Sequence, residues 1–225
     1  MYKRQPEYDQ FAGLTHYLGA MIDSATFPPL RAALLSPGPR DDWYAASGAY
    51  GRALTGAVLP HLRATVAVTK VVGVGASLGA LEMLVAHRSA PAAFDGLFLQ
   101  SGSYFQRGLD DQEHGFAKFA RITRSVGGML ASARTRRPVP IVLTCGETEE
   151  NLGNNRAMAR ALVEQGYPAT LREVRDVHSY TSWRDAFDPY LTDLIRRVIE
   201  SEPVSEPKLV TEPGQSTEPR RRTAP

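Results

Sequence analysis

The chain has 225 residues, of which 43% are hydrophobic and 22% are charged, with a formal net charge of +2. This composition is that of a globular protein, and the absence of a basic stripe interleaved with aromatic residues argues against a nucleic-acid partner. The single cysteine, Cys145, excludes an internal disulfide, and because no apolar run reaches membrane-spanning length and no secretory signal opens the chain, we expect a cytoplasmic protein without a membrane span.

The spacing of apolar residues predicts helices and strands that alternate along the chain. In the first half it predicts helices over 14–22 and 45–63, and strands over 31–35, from Val71 onward and over 94–100. In the second half it predicts a helix over 114–134 broken at Gly127-Gly128, strands over 140–145 and 169–174, and helices over 151–165 and 183–199. This alternation indicates an α/β fold with a mainly parallel sheet that is covered on both faces.

The composition changes abruptly after residue 200. Residues 201–225 spread prolines among Glu, Ser and Thr and end near the triplet Arg220-Arg221-Arg222. Such a segment buries too little apolar surface to offset the entropy of ordering it, so we expect a disordered tail. The sequence therefore predicts one domain over 1–200 and a tail over 201–225.

One pentapeptide stands between a predicted strand and a predicted helix. Gly75-Ala76-Ser77-Leu78-Gly79 matches G-x-S-x-G in the strand–turn–helix context of a nucleophile elbow. Serine on so tight a turn holds strained backbone angles, and side chains at Gly75 and Gly79 are expected to collide with the neighbouring strand and helix. The helix aims free N–H groups at the serine, which favours an oxyanion there.

Other interpretations of this turn are a helix cap and a nucleotide site. Ser77 as a simple helix cap remains open. A dinucleotide fingerprint is excluded because Leu78 stands where its third glycine belongs, and a P-loop is excluded because the Gly-Lys pair is absent.

Acidic residues and a histidine follow two other predicted strands. Glu149 and Glu150 come after one strand and His178 after another, and the carboxyl ends of parallel strands face a shared crevice. The order Ser, acid, His is that of α/β-hydrolases, where an imidazole takes the serine proton and a carboxylate holds the imidazole. Both glutamates also suit the first turn of a helix, and Asp176 is expected to be a turn residue, although it is close enough in sequence to contact His178.

The remaining candidates for chemistry are few. The other four histidines lie in or near predicted helices, and Cys145 is expected to be a buried thiol at a strand end. No His or Cys cluster has the spacing of metal ligands, so we expect neither a metal nor a cofactor.

Four segments together resemble a family of α/β-hydrolases that includes enterochelin esterases, esterase D, feruloyl esterase domains and mycolyltransferases. They are the elbow, Arg40-Asp41-Asp42-Trp43-Tyr44, Cys145-Gly146-Glu147-Thr148-Glu149-Glu150-Asn151 and His178-Ser179-Tyr180-Thr181-Ser182-Trp183-Arg184. The resemblance covers about residues 6–199 and implies a three-layer α/β-hydrolase-type sandwich. It implies Ser77 as nucleophile, Glu149 as acid, with Glu150 as the alternative, His178 as base and the Leu78 N–H as oxyanion donor.

The resemblance also implies an activity and a difference at the N-terminus. The implied activity is hydrolysis of a small-molecule carboxylic ester through an acyl-serine intermediate. Acyl transfer on the same residues, and a catalytically silent binding protein, are the alternatives. Family members begin with several strands, so we expect some N-terminal strands to be lacking here. The second oxyanion donor is then expected from the region 5–8, or to be missing.

Overall fold

The computed structural model describes residues 7–201 apart from residues 37, 134 and 136. Its strands are β1 (Val72–Ala76), β2 (Gly96–Gln100), β3 (Ile141–Gly146) and β4 (Ala169–Val174). Its α-helices are α1 (Glu7–Gln10), α2 (Leu14–Asp23), α3 (Arg40–Trp43), α4 (Gly48–Ala53), α5 (Leu59–Thr65), α6 (Leu78–Ser89), α7 (Phe119–Leu130), α8 (Leu152–Glu164), α9 (Tyr180–Asp185) and α10 (Thr192–Glu200). Two π-helical segments, Leu54–Val58 and Phe187–Leu191, and one 3₁₀ turn, Asp111–Gly115, complete the set in the described residues.

The four strands form one parallel sheet in the order β1-β2-β3-β4. Gln100 at the end of β2 is in register with Ala76 on one side and Thr144 on the other. The strands therefore end at one edge of the sheet, and the residues that follow them meet there.

The two faces of the sheet are covered by different parts of the chain. Each strand-to-strand connection passes through one of α6, α7 and α8, and these pack with α4 and α5 on one face around Leu97, Leu99, Ile141 and Leu143. The opposite face, centred on Phe98, is covered by α2, Phe187 and α10. Side chains of a strand alternate between faces, so β2, buried along its whole length, feeds both cores.

Three expectations about elements are wrong, namely the strand over 31–35, the break at Gly127-Gly128 and the continuous helix over 183–199. Leu34 and Leu35 pack into opposite cores, but residues 31–35 form no strand, because the described part of the sheet offers them no ladder partner. Gly127 and Gly128 lie inside α7 and do not break it.

The predicted helix over 183–199 is divided. Asp188 has non-helical backbone angles (φ −110°, ψ 124°), because a residue before proline is pushed out of the helical region and Pro189 lacks the N–H of a helix interior. Leu54–Val58, by contrast, joins α4 and α5 without a gap, so the predicted helix over 45–63 runs continuously from Gly48 to Thr65.

The predicted tail over 201–225 lies, beyond Ser201, outside the described residues. The division of the chain at residue 200 stays a prediction. In the described part of the chain, no helix is both long enough and apolar enough to cross a membrane.

Candidate active site

The elbow serine is held in a strained conformation at the end of β1. Ser77 has φ 56° and ψ −125°, a region that side chains with a Cβ rarely occupy. Its N–H donates to Gln100 O at 2.9 Å, which ties the turn to β2. A Cβ on Gly75 would collide with the Gly79 carbonyl, so the first glycine of the motif is required by close packing.

The second glycine of the motif is not explained in the same way. A Cβ on Gly79 would meet no atom within 4 Å outside its own helix. The expectation that Gly79 prevents a collision is therefore wrong, because the close approach is made by the Gly79 backbone toward Gly75.

The predicted acid and base are in direct contact. His178 Nδ1 lies 2.7 Å from Glu149 Oε2. The Glu149 side chain is 2% exposed, whereas that of His178 is 43% exposed. The Trp183 ring packs edge-on against the imidazole, with 5.2 Å between ring centroids. The sheet therefore buries the acid and leaves one side of the base open.

Three donors converge on the Glu149 carboxylate. Oε1 accepts from Ser101 Oγ at 2.7 Å and from Gly146 N–H at 2.7 Å, and Oε2 faces His178. Burial alone raises the pKa of this carboxyl, but the hydrogen bonds from His178, Gly146 and Ser101 outweigh burial and hold its pKa below the ordinary value. A carboxylate can only accept, so Nδ1 of His178 carries the proton and Nε2 is left as an acceptor.

Gly146 allows this close arrangement. A Cβ there would collide with the Asp176 carbonyl and would lie 2.9 Å from Glu149 Oε1. The loop that leads to His178 therefore passes directly against the end of β3. Asp176 itself accepts from its own neighbour Val177 N–H at 2.7 Å, as expected for a turn residue.

Ser77, Glu149 and His178 line the same cavity, which has a volume of about 380 Å³. The rest of its lining is mostly polar or acidic: Ser103, Phe105, Asp110, Gln112, Glu113, Thr148, Glu150, Asn151 and Val177. Glu150 is exposed on this lining. Of the two glutamates, Glu149 is the one that contacts the histidine.

The end of β2 and the residues directly after it hold several side chains near the site in place, and sequence reasoning gave them no role. Gln100 accepts from Tyr8 OH and donates to Trp183 O, at 2.8 and 2.9 Å. Ser101 contacts Glu149, and Ser103 Oγ lies 3.2 Å from Ser77 Oγ. The available signal was a run of small polar residues immediately after a buried strand at the carboxyl edge of a parallel sheet.

The expected oxyanion donors are only partly within the described chain. Leu78 is the first residue of α6, so its N–H belongs to the helix turn that has no intrahelical acceptor. Of the region 5–8, residues 5 and 6 lie outside the described residues. Tyr8 packs its ring on Trp183 and Phe187, beneath the site.

The other candidates for chemistry are the Cys145 thiol and a metal site. Cys145 is buried on β3 with its Sγ 3.6 Å from Asn151 Oδ1, and burial raises the pKa of its thiol. Within the described ranges, no three His, Cys, Asp or Glu side chains are grouped to hold a metal ion.

Comparisons with known proteins give structural relatives but no sequence relatives. No protein-family model and no curated protein sequence matches the chain. The structure is similar to that of the enterobactin esterase from Shigella flexneri, solved in the presence of 2,3-di-hydroxy-N-benzoyl-glycine, with a TM-score of 0.71 and 20% identity. The match covers 85% of this chain and 51% of that one, so the chain spans about half the length of that relative.

Two further structures are similar. A ferulic acid esterase matches with a TM-score of 0.64 and 16% identity, over 87% of this chain and 81% of that one. The ferric enterobactin esterase from Salmonella typhimurium matches with a TM-score of 0.61 and 20% identity, over 82% and 47%. The chain has an α/β-hydrolase-type fold. The expectation of that fold is confirmed.

Proposed function

We propose that the chain is a serine carboxylesterase that hydrolyses a small-molecule ester through an acyl-serine intermediate. The observation that carries this proposal is the contact between His178 and Glu149 on the cavity that the strained Ser77 also lines. A simple helix cap would need neither a buried carboxylate nor a histidine at that cavity. The esterases among the structural neighbours support the same class of reaction.

Acylation uses the proton positions deduced above. His178 Nε2 accepts the proton of the Ser77 hydroxyl as Oγ attacks the ester carbonyl. Glu149 stays ionised and stabilises the imidazolium. The Leu78 N–H, at the positive end of α6, donates to the oxyanion. When the tetrahedral intermediate collapses, His178 returns its proton to the departing alkoxide, and the alcohol leaves.

Deacylation repeats the sequence with water. His178 removes a proton from water, the resulting hydroxide attacks the acyl-serine carbonyl, and the proton passes back to Ser77 Oγ as the carboxylic acid is released. No further co-reactant is needed.

Covalent labelling tests this proposal directly. The purified protein and its Ser77→Ala variant are treated with a fluorophosphonate, and turnover of p-nitrophenyl acetate is measured in parallel. Ser89→Ala is the matched control, because Ser89 lies on the same helix, donates to Ala86 O and is not among the described residues that line the cavity. We expect labelling and turnover in the wild type and the control, and neither in Ser77→Ala.

Two results would contradict the proposal. The first is a folded wild type that neither reacts with the probe nor turns over the ester. The second is labelling that persists in Ser77→Ala, which would place the reactive group elsewhere.

A further inference from the structure

We propose that Ser101 is a positioning residue, which orients the Glu149 carboxylate toward His178 and is itself fixed by Trp183. This inference rests on the proposed function, because it concerns how the acid of that site is held. Ser101 is the first residue after β2 and is 1% exposed. Its hydroxyl lies between the indole of Trp183 and the carboxylate of Glu149, at 3.0 and 2.7 Å.

The direction of these hydrogen bonds follows from the chemistry of the three groups. The indole N–H of Trp183 can only donate, so it donates to Ser101 Oγ. The ionised carboxylate of Glu149 can only accept, so the one hydroxyl hydrogen of Ser101 is committed to it. The Trp183 bond thus holds the Ser101 hydroxyl in the rotamer that points at Glu149.

The two oxygens of the Glu149 carboxylate therefore have different hydrogen-bond partners. Oε1 is occupied by Ser101 Oγ and Gly146 N–H, and Oε2 faces His178. With two donors on one oxygen, the carboxylate is held with its other oxygen in line with His178 Nδ1. Without Ser101, Oε1 loses one of these two donors, and the carboxylate is freer to rotate away from the imidazole.

The backbone of Ser101 adds an independent observation. Ser101 has φ 47°, in the left-handed region, where a residue with a Cβ is disfavoured. Its N–H donates to Thr144 O at 2.7 Å, and its carbonyl accepts from Asn151 Nδ2 at 3.0 Å. Glycine would remove the strain but also the hydroxyl, which indicates that the side chain has a use here.

Trp183 links this arrangement to the base. Its ring contacts the imidazole edge-on while its N–H binds Ser101. A single side chain from α9 therefore touches His178 and the residue that holds Glu149, which keeps acid and base in one geometry.

The experiment compares Ser101→Gly and Ser101→Ala with the wild type. Both remove the hydroxyl, but glycine also relieves the left-handed strain, so we expect Ser101→Gly to melt at the higher temperature of the two. Both should lower kcat for p-nitrophenyl acetate by about 10- to 100-fold, as expected for a misplaced catalytic group, with little change in KM. If Ser101 had a merely structural role, the more stable Ser101→Gly variant would also have the higher kcat of the two.

Thr192→Val is the matched control. Thr192, on α10, is another buried hydroxyl, 2.8 Å from both Tyr17 OH and Asp188 Oδ1, and it is not among the described residues that line the cavity. We expect this variant to lose stability and to keep its kcat.

A second readout does not depend on turnover. The proton between His178 Nδ1 and Glu149 gives a low-field ¹H resonance, which we expect to shift or broaden in both Ser101 variants and to remain in Thr192→Val. Trp183→Phe keeps the ring and loses the N–H, so it should lower kcat less than Ser101→Ala. The double variant Ser101→Ala/Trp183→Phe should have nearly the same kcat as Ser101→Ala alone, because both side chains act through the Ser101 hydroxyl.

The outcomes separate the two proposals. A Ser101 variant with wild-type kcat and an unchanged low-field resonance would overturn the positioning role. An inactive wild type would contradict the esterase proposal, while the resonance would still report whether Ser101 holds the Glu149–His178 pair.

Discussion

Two buried glutamates in this molecule are treated in opposite ways. Glu149, at the end of β3, has hydrogen-bond donors on both oxygens and a pKa below its ordinary value. Glu82, on α6, is 0% exposed. Its Oε2 accepts from Ser47 N–H at 2.7 Å, and in the described structure no hydrogen bond reaches Oε1.

The two acids differ in the hydrogen-bond donors that oppose the effect of burial. Burial raises the pKa of Glu82 to about 8, and the Ser47 N–H and the Arg121 guanidinium offset that rise only in part. Glu149 is also buried, yet its hydrogen bonds outweigh the burial. The proposed catalytic acid is thus the carboxyl that the fold keeps ionised.

The largest expected effect concerns the acid in the proposed site. Glu149→Gln keeps the shape but removes the negative charge that holds the His178 tautomer, so kcat should fall by about 10³- to 10⁴-fold. Steady-state hydrolysis of p-nitrophenyl acetate measures it. Glu150→Gln, at the next residue, is the control, and its kcat should fall by at most a few-fold. An equal fall in kcat in Glu149→Gln and Glu150→Gln would contradict the assignment of Glu149 as the acid.

The next effect concerns the stability of the fold at different pH. Glu82 has an ordinary pKa of 4.5 and a folded pKa of about 8, so the folded state holds an extra proton between these values. Stability is therefore highest below pH 4.5 and falls by about 1.4 kcal/mol per pH unit toward pH 8 because of this group. Glu82→Gln should remove that fall, as measured by denaturant unfolding at a series of pH values.

An exposed glutamate provides the control for Glu82. Glu164 is exposed at the end of α8, and Glu164→Gln should leave the pH dependence of unfolding as it is in the wild type. If Glu82→Gln behaved in the same way as this control, the Glu82 carboxyl would not be carrying a buried proton.

A smaller and opposite effect comes from His87, on the same helix as Glu82. The His87 ring is buried against Phe94 and Tyr167, and burial lowers its pKa from 6.5 to about 4. Its contribution to stability is present above pH 6.5 and is lost as the pH falls toward 4. Between pH 4.5 and 6.5 the His87 and Glu82 effects oppose each other, so the wild-type profile should be flat there and decline above 6.5.

Replacing His87 tests that cancellation. His87→Leu should leave the Glu82 decline visible from pH 4.5 upward in denaturant unfolding. His61→Leu, at an exposed position on α5, should keep the flat region. A flat region that survives in His87→Leu would contradict the assignment.

The smallest effect concerns substrate charge at the cavity around Glu149. Four carboxylates line it, namely Asp110, Glu113, Glu149 and Glu150, and no lysine or arginine is among its described lining residues. If the proposed function holds, kcat/KM should be a few-fold lower for a p-nitrophenyl ester with an anionic acyl chain than for a neutral one of equal length. Added salt should narrow the gap, since it screens charges near solvent. Equal rates at low salt would contradict this.

Local patterns predicted the strands of the sheet and three residues beyond their ends that line one cavity. Ser77, Glu149 and His178 each follow a strand, and parallel topology brings such positions to one edge. Pro189 lies inside the last predicted helix, and a proline at that position indicates that the helix is divided there. Apolar periodicity alone does not indicate this division.

The hydrogen bonds around the acid were not readable from local patterns. Ser101 and Trp183 are 82 positions apart, and Ser101 meets Glu149 across 48 positions. Such pairings depend on which strands are neighbours and where each turn ends. Residues 31–35 illustrate the same limit, because an apolar run becomes a strand only where a ladder partner is available.

The buried thiol of Cys145 gives the molecule a built-in probe of its own opening. It is the one cysteine of the chain and lies on β3, 1% exposed, between β2 and β4. A thiol reagent can reach this buried side chain when the protein opens locally and moves the covering helices or neighbouring strands away. The rate of thiol modification in native buffer therefore measures how often this local opening occurs. An ester analogue bound at the end of β3 should slow that rate, which would give an affinity assay that needs neither a chromophore nor turnover.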